Sequence, residues 1–123
     1  MSNTVQSIDV ATLQQWIMDD DVILIDVRET SEYAQASIPG SRHLPLSGLH
    51  LADLPDRDGR KVVVSCATGR RSMMAAEGRL AAHYGGVYNL DGGLSAWQLA
   101  GYDITRDDSA ASETPGLFSF FGR

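Results

Sequence analysis

The stretch Val62-Val63-Val64-Ser65-Cys66-Ala67-Thr68-Gly69-Arg70-Arg71-Ser72 constrains this chain more than any other. Three β-branched residues in a row suit a short strand covered on both faces. They run straight into the sole cysteine, and a loop with one glycine and two arginines follows. Beyond it the pattern predicts a helix over Ser72 to Tyr84, with Met73, Ala76, Leu80 and Tyr84 as its apolar stripe. Gly85-Gly86 ends that helix by the left-handed route open to glycine. Strand, tight loop and helix start together put a thiol at the carboxyl end of a strand, where open α/β sheets hold their ligands.

The loop favours a thiolate. Backbone N–H groups in the first turn of a helix have no intrahelical partner, and with the helix dipole they form an anion site. Gly69 permits backbone angles that let several N–H groups converge on one point. Arg70 and Arg71 add positive charge. A free thiol titrates near ~8.5, and such surroundings bring it to roughly 3.5–7.5. The competing reading is a structural cysteine, since free cysteine is among the most buried residue types. The glycine and arginines that follow Cys66 favour the reactive reading.

The rest of the chain alternates strand and helix patterns. Gln6 to Asp9 reads as a first strand, and Asp9 or Thr12 as the cap of a helix whose apolar face is Leu13, Trp16 and Ile17. Asp19-Asp20-Asp21 opposes the dipole at its end. Val22 to Ile25 is a buried strand that delivers Asp26-Val27-Arg28 level with the Cys66 loop. Thr30 to Tyr33 reads as a helical turn, Ile38-Pro39-Gly40 as a break, and Arg42 to Leu46 as an edge strand that tolerates proline. Ser47 is read as the cap of a small helix through Leu54, and Pro55 to Arg60 as a turn. Val87 to Leu90 is a further strand, followed by the loop Asp91-Gly92-Gly93 and a helix from Leu94 to Ala100 bearing Trp97. This alternation predicts one α/β domain over residues 1–104: an open, mostly parallel sheet with helices on both faces, three layers in all.

Composition narrows the partners. The net charge of −6 on 123 residues argues against nucleic acid or an anionic membrane, so the basic pair Arg70-Arg71 points to a small anionic substrate. A single cysteine excludes an internal disulfide and a Cys-x-x-Cys couple, so any second thiol comes from outside the domain. His43, His50 and His83 lack ligand spacing, and neither a metal nor an organic cofactor is expected. Met1 to Gln6 has no basic or apolar leader character, and no apolar run approaches the ~18 residues that span a membrane. A cytoplasmic protein with a reduced thiol is the expectation.

The tail differs in character. Thr105 to Thr114 has the composition of a polar linker. Leu117, Phe118, Phe120 and Phe121 then bring all three phenylalanines together. These four residues are read as a docking element for a partner that accepts from the domain, or as a segment folded back on it.

Three stretches resemble the rhodanese domain, in particular the small single-domain sulfurtransferases. Leu24-Ile25-Asp26-Val27-Arg28-Glu29, with Glu32-Tyr33, Ile38-Pro39-Gly40-Ser41 and Leu44-Pro45, is similar to the family's D-V-R-x-x-x-E-[FY] … G-H-I-x-G-[AS] signature. Cys66 to Ser72 is similar to its C-x-x-G-x-R-S loop, and Leu90-Asp91-Gly92-Gly93 with Ala96-Trp97 and Gly101 to L-x-G-G-x-x-A-W-x-x-x-G. One departure is Ala36-Ser37-Ile38 where the family usually has G-H-I. The resemblance covers most of Ile8 to Ile104.

The resemblance implies that Cys66 is the nucleophile and takes a sulfane sulfur from thiosulfate or a similar anionic donor as a persulfide. An external thiol, or cyanide, then accepts it. Ala67, Thr68, Gly69, Arg70, Arg71 and Ser72 are the expected substrate cradle. Asp26 and Arg28 are supporting candidates, either holding the loop or pairing with each other as scaffold. Gly92, Gly93 and Trp97 read as fold residues. Three alternatives stand beside this. A cysteine phosphatase needs an arginine six positions after the cysteine, whereas Arg71 comes five after Cys66 and Ser72 is sixth. A non-catalytic binding module does not need Cys66 with its arginines. A persulfide carrier needs the same loop as the enzyme.

Overall fold

The computed structural model describes residues 4–106, so Leu117, Phe118, Phe120 and Phe121 lie outside the described residues. The strands are β1 (Val5–Ile8), β2 (Val22–Asp26), β3 (Arg42–His43), β4 (Lys61–Ser65) and β5 (Val87–Leu90). They form one sheet in the order β1-β5-β4-β2-β3, and every neighbouring pair is parallel. The expected open parallel sheet is therefore present. The helices are α1 (Val10–Met18), α2 (Thr30–Gln35), α3 (Arg70–Ala75), α4 (Ala81–Tyr84) and α5 (Gly93–Leu99).

The period of two along each strand divides the apolar residues between two cores. Ile23 and Ile25 of β2 and Val62 and Val64 of β4 face one side, where Ala75, Ala76, Leu80 and Ala81 cover them. Leu24 and Val63 face the other, beneath Leu13 of α1 and Leu94 and Trp97 of α5. All of these are buried. This double burial explains why β2 and β4 read as continuous apolar runs. Cys66 belongs to the first core.

Several local expectations change. The helix after Cys66 starts at Arg70 rather than Ser72, because Gly69 takes a left-handed φ of 99° and serves as its N-cap without a side-chain bond. It then runs through a π turn over Ala76–Leu80 before α4. The predicted edge strand shrinks to Arg42–His43 because Pro45 interrupts the ladder. Leu44 and Leu46 still donate their N–H groups to the carbonyls of Asp26 and Val27. The small helix through Leu54 is two 3₁₀ turns, Leu46–Gly48 and Leu51–Asp53. Ser47 caps neither, and its hydroxyl donates to Glu29 instead. Asp9, one of the two proposed caps of α1, accepts from the Thr12 N–H at 2.8 Å.

At the far end, Trp97 Nε1 donates to the Asp103 carbonyl. Thr105 forms an antiparallel bridge with Ser37. The described chain is thus paired to the domain one residue beyond Ile104. No helix among the described residues is long and apolar enough to cross a membrane.

Candidate active site

Cys66 follows directly on β4, beside the ends of β2 and β5. In the sheet register Asp26 sits opposite Ser65 and Asn89 opposite Val64. Cys66 itself is 1% exposed. The Gly69 N–H donates to Sγ at 3.1 Å. The Ser72 hydroxyl donates to Asn89 Oδ1, and the N–H groups of Ser72 and Thr68 act with that of Gly69 to lower the thiol's proton affinity. Burial pushes the thiol up, but the hydrogen-bond donors of the loop outweigh it and hold the thiol below its ordinary value. The result is a buried sulfur that accepts from the Gly69 N–H.

Two helices build this cradle. Gly69 and the first turn of α3 supply N–H groups on one side. On the other, α5 packs end-on against the loop: Leu94 N–H donates to the Cys66 carbonyl at 2.9 Å and Ser95 N–H to the Ala67 carbonyl at 3.0 Å. Gly93 makes that approach possible. A Cβ on Gly93 would lie 2.4 Å from the Cys66 carbonyl oxygen, and its φ is +55°. Gly93 therefore shapes the backbone of Cys66 as well as a turn.

The two arginines of the loop have different environments. Arg71 reaches across to α2 and donates from Nη1 and Nη2 to the two carboxylate oxygens of Glu32, at 2.8 and 2.9 Å. Glu32 Oε1 also accepts from the Glu29 N–H, which closes the start of α2. The Arg71 guanidinium holds the Glu32 carboxyl down at about 2. Because that value lies below the ordinary 4.5, the pair stabilises the fold above about pH 4.5 and its contribution fades as pH falls toward 2. Both side chains are over a third exposed, so the contribution is at most about 1 kcal/mol. Arg70, in contrast, is exposed and has no partner among the described residues. Of the two, Arg70 is the one whose charge is free for an incoming anion.

Asp26 and Arg28 meet each other. Arg28 Nε donates to both Asp26 oxygens and Nη2 to Oδ2 at 2.8 Å. Arg28 also donates to the carbonyls of Glu32 and Ala36. Of the two readings, scaffold pairing is the one present in the geometry. Glu32 and Asn89 were not singled out as site residues from the sequence. Glu32 is 39 positions from its partner Arg71, too far for any local pattern. Asn89 does leave a trace, as an amide at a strand position flanked by apolar residues. No cluster of three or more potential metal ligands occurs among the described residues.

Fold and site together describe a parallel α/β domain with a donor-rich thiol at the carboxyl edge of its sheet. The chain belongs to the rhodanese-like domain family, whose model matches residues 9–100. It is 39% identical over 104 residues to a sulfurtransferase of Allochromatium vinosum, covering 81% of this chain and 94% of that one. It is 37% identical over 111 residues to an uncharacterized protein of Synechocystis, covering 89% of this chain and 62% of the relative, so it spans under two thirds of that protein. Among solved structures, a thiosulfate sulfurtransferase of Pseudomonas aeruginosa superposes with a TM-score of 0.72 at 27% identity, covering 84% of this chain and 20% of that one.

Proposed function

We propose that this protein is a sulfurtransferase that moves a sulfane sulfur from thiosulfate, or a similar anionic donor, to a thiol or cyanide. Membership of the rhodanese-like family and the sulfurtransferase name of a relative support sulfur transfer in general. The observation that carries the specific reading is the Gly69 N–H donating to the buried Cys66 sulfur at 3.1 Å, with the thiol held below its ordinary value. In the first half-reaction the Cys66 thiolate attacks the outer sulfur of thiosulfate. The sulfur–sulfur bond of the donor breaks, sulfite leaves with its electron pair, and a persulfide anion remains on Cys66. In the second, cyanide or an acceptor thiolate attacks the terminal sulfur and the Cys66 thiolate is regenerated. The same N–H groups that face Sγ stabilise the thiolate and the persulfide, and the two steps give ping-pong kinetics.

Loading with thiosulfate followed by discharge to cyanide, with Cys66→Ser as the control, tests this reading. A second expectation separates the arginines. Arg70→Ala should raise the thiosulfate KM by roughly tenfold, the value of one charge-assisted contact. The melting temperature should stay within about a degree, since Arg70 has no partner among the described residues. Steady-state kinetics alongside a thermal melt check both halves. An unchanged KM would remove Arg70 from the substrate site.

A further inference from the structure

We propose that Asn89 is a positioning residue that holds the Gly69 end of the thiol loop, so that the Gly69 N–H meets the Cys66 sulfur. This rests on Cys66 being the nucleophile. The Gly69 N–H is the donor that lies 3.1 Å from Sγ. Glycine restrains its own backbone least of all residues. Gly69 caps α3 at a φ of 99° with no side-chain bond to the first turn. The direction of its N–H therefore has to be fixed from outside the loop, and β5 supplies the restraint.

Asn89 of β5 sits opposite Val64 in the sheet register and is 3% exposed. An amide buried there needs partners at both of its ends. Nδ2 donates to the Gly69 carbonyl at 3.2 Å. That carbonyl only accepts, so Oδ1 is the end turned to Ser72, and it accepts from the Ser72 hydroxyl. The Gly69 carbonyl also accepts from the Met73 N–H at 3.3 Å, the bond that opens α3. One side chain thus ties Gly69 and Ser72, the two ends of the first turn, to a strand of the sheet. The end of β5 closes on Gly69 as well: a Cβ there would lie 3.2 Å from the Leu90 carbonyl oxygen and 3.3 Å from the Gly92 nitrogen. A hydrocarbon side chain at position 89 would fill the space but remove one of the two donors that hold the Gly69 carbonyl. The charged and titratable residues on the elements around the thiol are Arg70 and Arg71 of α3, Glu32 of α2, the Asp26–Arg28 pair at the end of β2, His43 of β3 and Asp91 after β5. All of them are retained in every variant below.

The test is a pH titration of the thiolate's ultraviolet absorbance in the full chain, with Cys66→Ser as the baseline. It needs no sulfur donor, so it stays interpretable if the sulfurtransferase reading fails. Asn89→Leu should raise the midpoint by about one pH unit, because the thiolate loses an aligned N–H. Ser72→Ala removes the bond to Oδ1 and keeps the bond from Nδ2, so it should raise the midpoint far less. Tyr84→Phe is the control for stability. It deletes the bond from the Tyr84 hydroxyl to the Pro55 carbonyl, which does not touch the loop. It should lower the melting temperature and leave the midpoint in place. A merely structural Asn89 would behave as Tyr84 does. An unchanged or lowered midpoint in Asn89→Leu therefore overturns the proposal. A rise in Ser72→Ala equal to that in Asn89→Leu also overturns it, because the effect would then run through the hydroxyl and not through Gly69. Should Asn89→Leu fail to fold, the same rise is expected of Asn89→Thr, which suits a strand, offers Ser72 a hydroxyl and lacks the amide nitrogen.

Discussion

Arg28→Ala is expected to destabilise the protein by about 3–5 kcal/mol, the usual cost of breaking a buried ion pair by removing one partner. The side chains of Arg28 and Asp26 are 4% and 3% exposed. Without the guanidinium, the Asp26 carboxylate keeps only the Arg28 backbone N–H as a donor among the described residues. The carbonyls of Glu32 and Ala36 also lose the donor that joins α2 to the end of β2. The melting temperature should fall by roughly 10–20 °C. Arg28→Lys should restore little, since an ammonium cannot reproduce the planar fork that meets the carboxylate and two carbonyls at once. Urea denaturation of the three proteins checks this. A loss below about 0.5 kcal/mol for Arg28→Ala would mean the pair is not the brace described.

Gly93→Ala is the second large effect, and it should reach both stability and chemistry. The new methyl group would lie 2.4 Å from the Cys66 carbonyl oxygen and 2.8 Å from the Ala67 carbonyl carbon. Backbone atoms cannot swing aside as a side-chain end can. Either α5 retreats or the Cys66 loop moves. In both cases the bonds from Leu94 and Ser95 to the loop carbonyls are lost or stretched. Overpacking of this kind costs about 1–3 kcal/mol, and a side chain at positive φ adds roughly 1–2 kcal/mol. A displacement of the nucleophile by about 1 Å costs a catalyst on the order of 100-fold. Gly101→Ala is the matched control: its φ is +85° but nothing lies within 4 Å of the added carbon. It should pay the backbone strain alone and load sulfur at the normal rate. Equal effects at Gly93 and Gly101 would show that the close approach is unimportant.

The sheet was legible from the sequence for a simple reason. A parallel strand buried on both faces must be apolar without alternation, and Val22 to Ile25 and Val62 to Val64 have that character. The position of Cys66 followed, because a strand that ends in a glycine loop and a helix leaves little choice for the residue between them. What escaped was set by contacts distant in sequence or by glycine geometry. The helix start was misplaced because Gly69 caps it through a left-handed backbone and not through a side-chain oxygen. The separate fates of Arg70 and Arg71 depend on Glu32, which only the fold brings near. Gly93 read as a turn residue because its closeness to the Cys66 carbonyl is a tertiary fact. The short β3 reflects Pro45, which the sequence displays, but also the irregular bonds that Leu44 and Leu46 make past it.

In the proposed reaction the sulfur passes through a covalent persulfide on Cys66. Intact-mass spectrometry of the full chain after brief treatment with thiosulfate tests it most directly. The wild-type protein should gain the mass of one sulfur atom and lose it again when cyanide is added, with thiocyanate appearing in the same amount. Cys66→Ser, folded to the same melting temperature within a few degrees, should gain nothing. A wild-type protein that turns over thiosulfate without acquiring the added mass, or an equal gain in Cys66→Ser, would contradict the account.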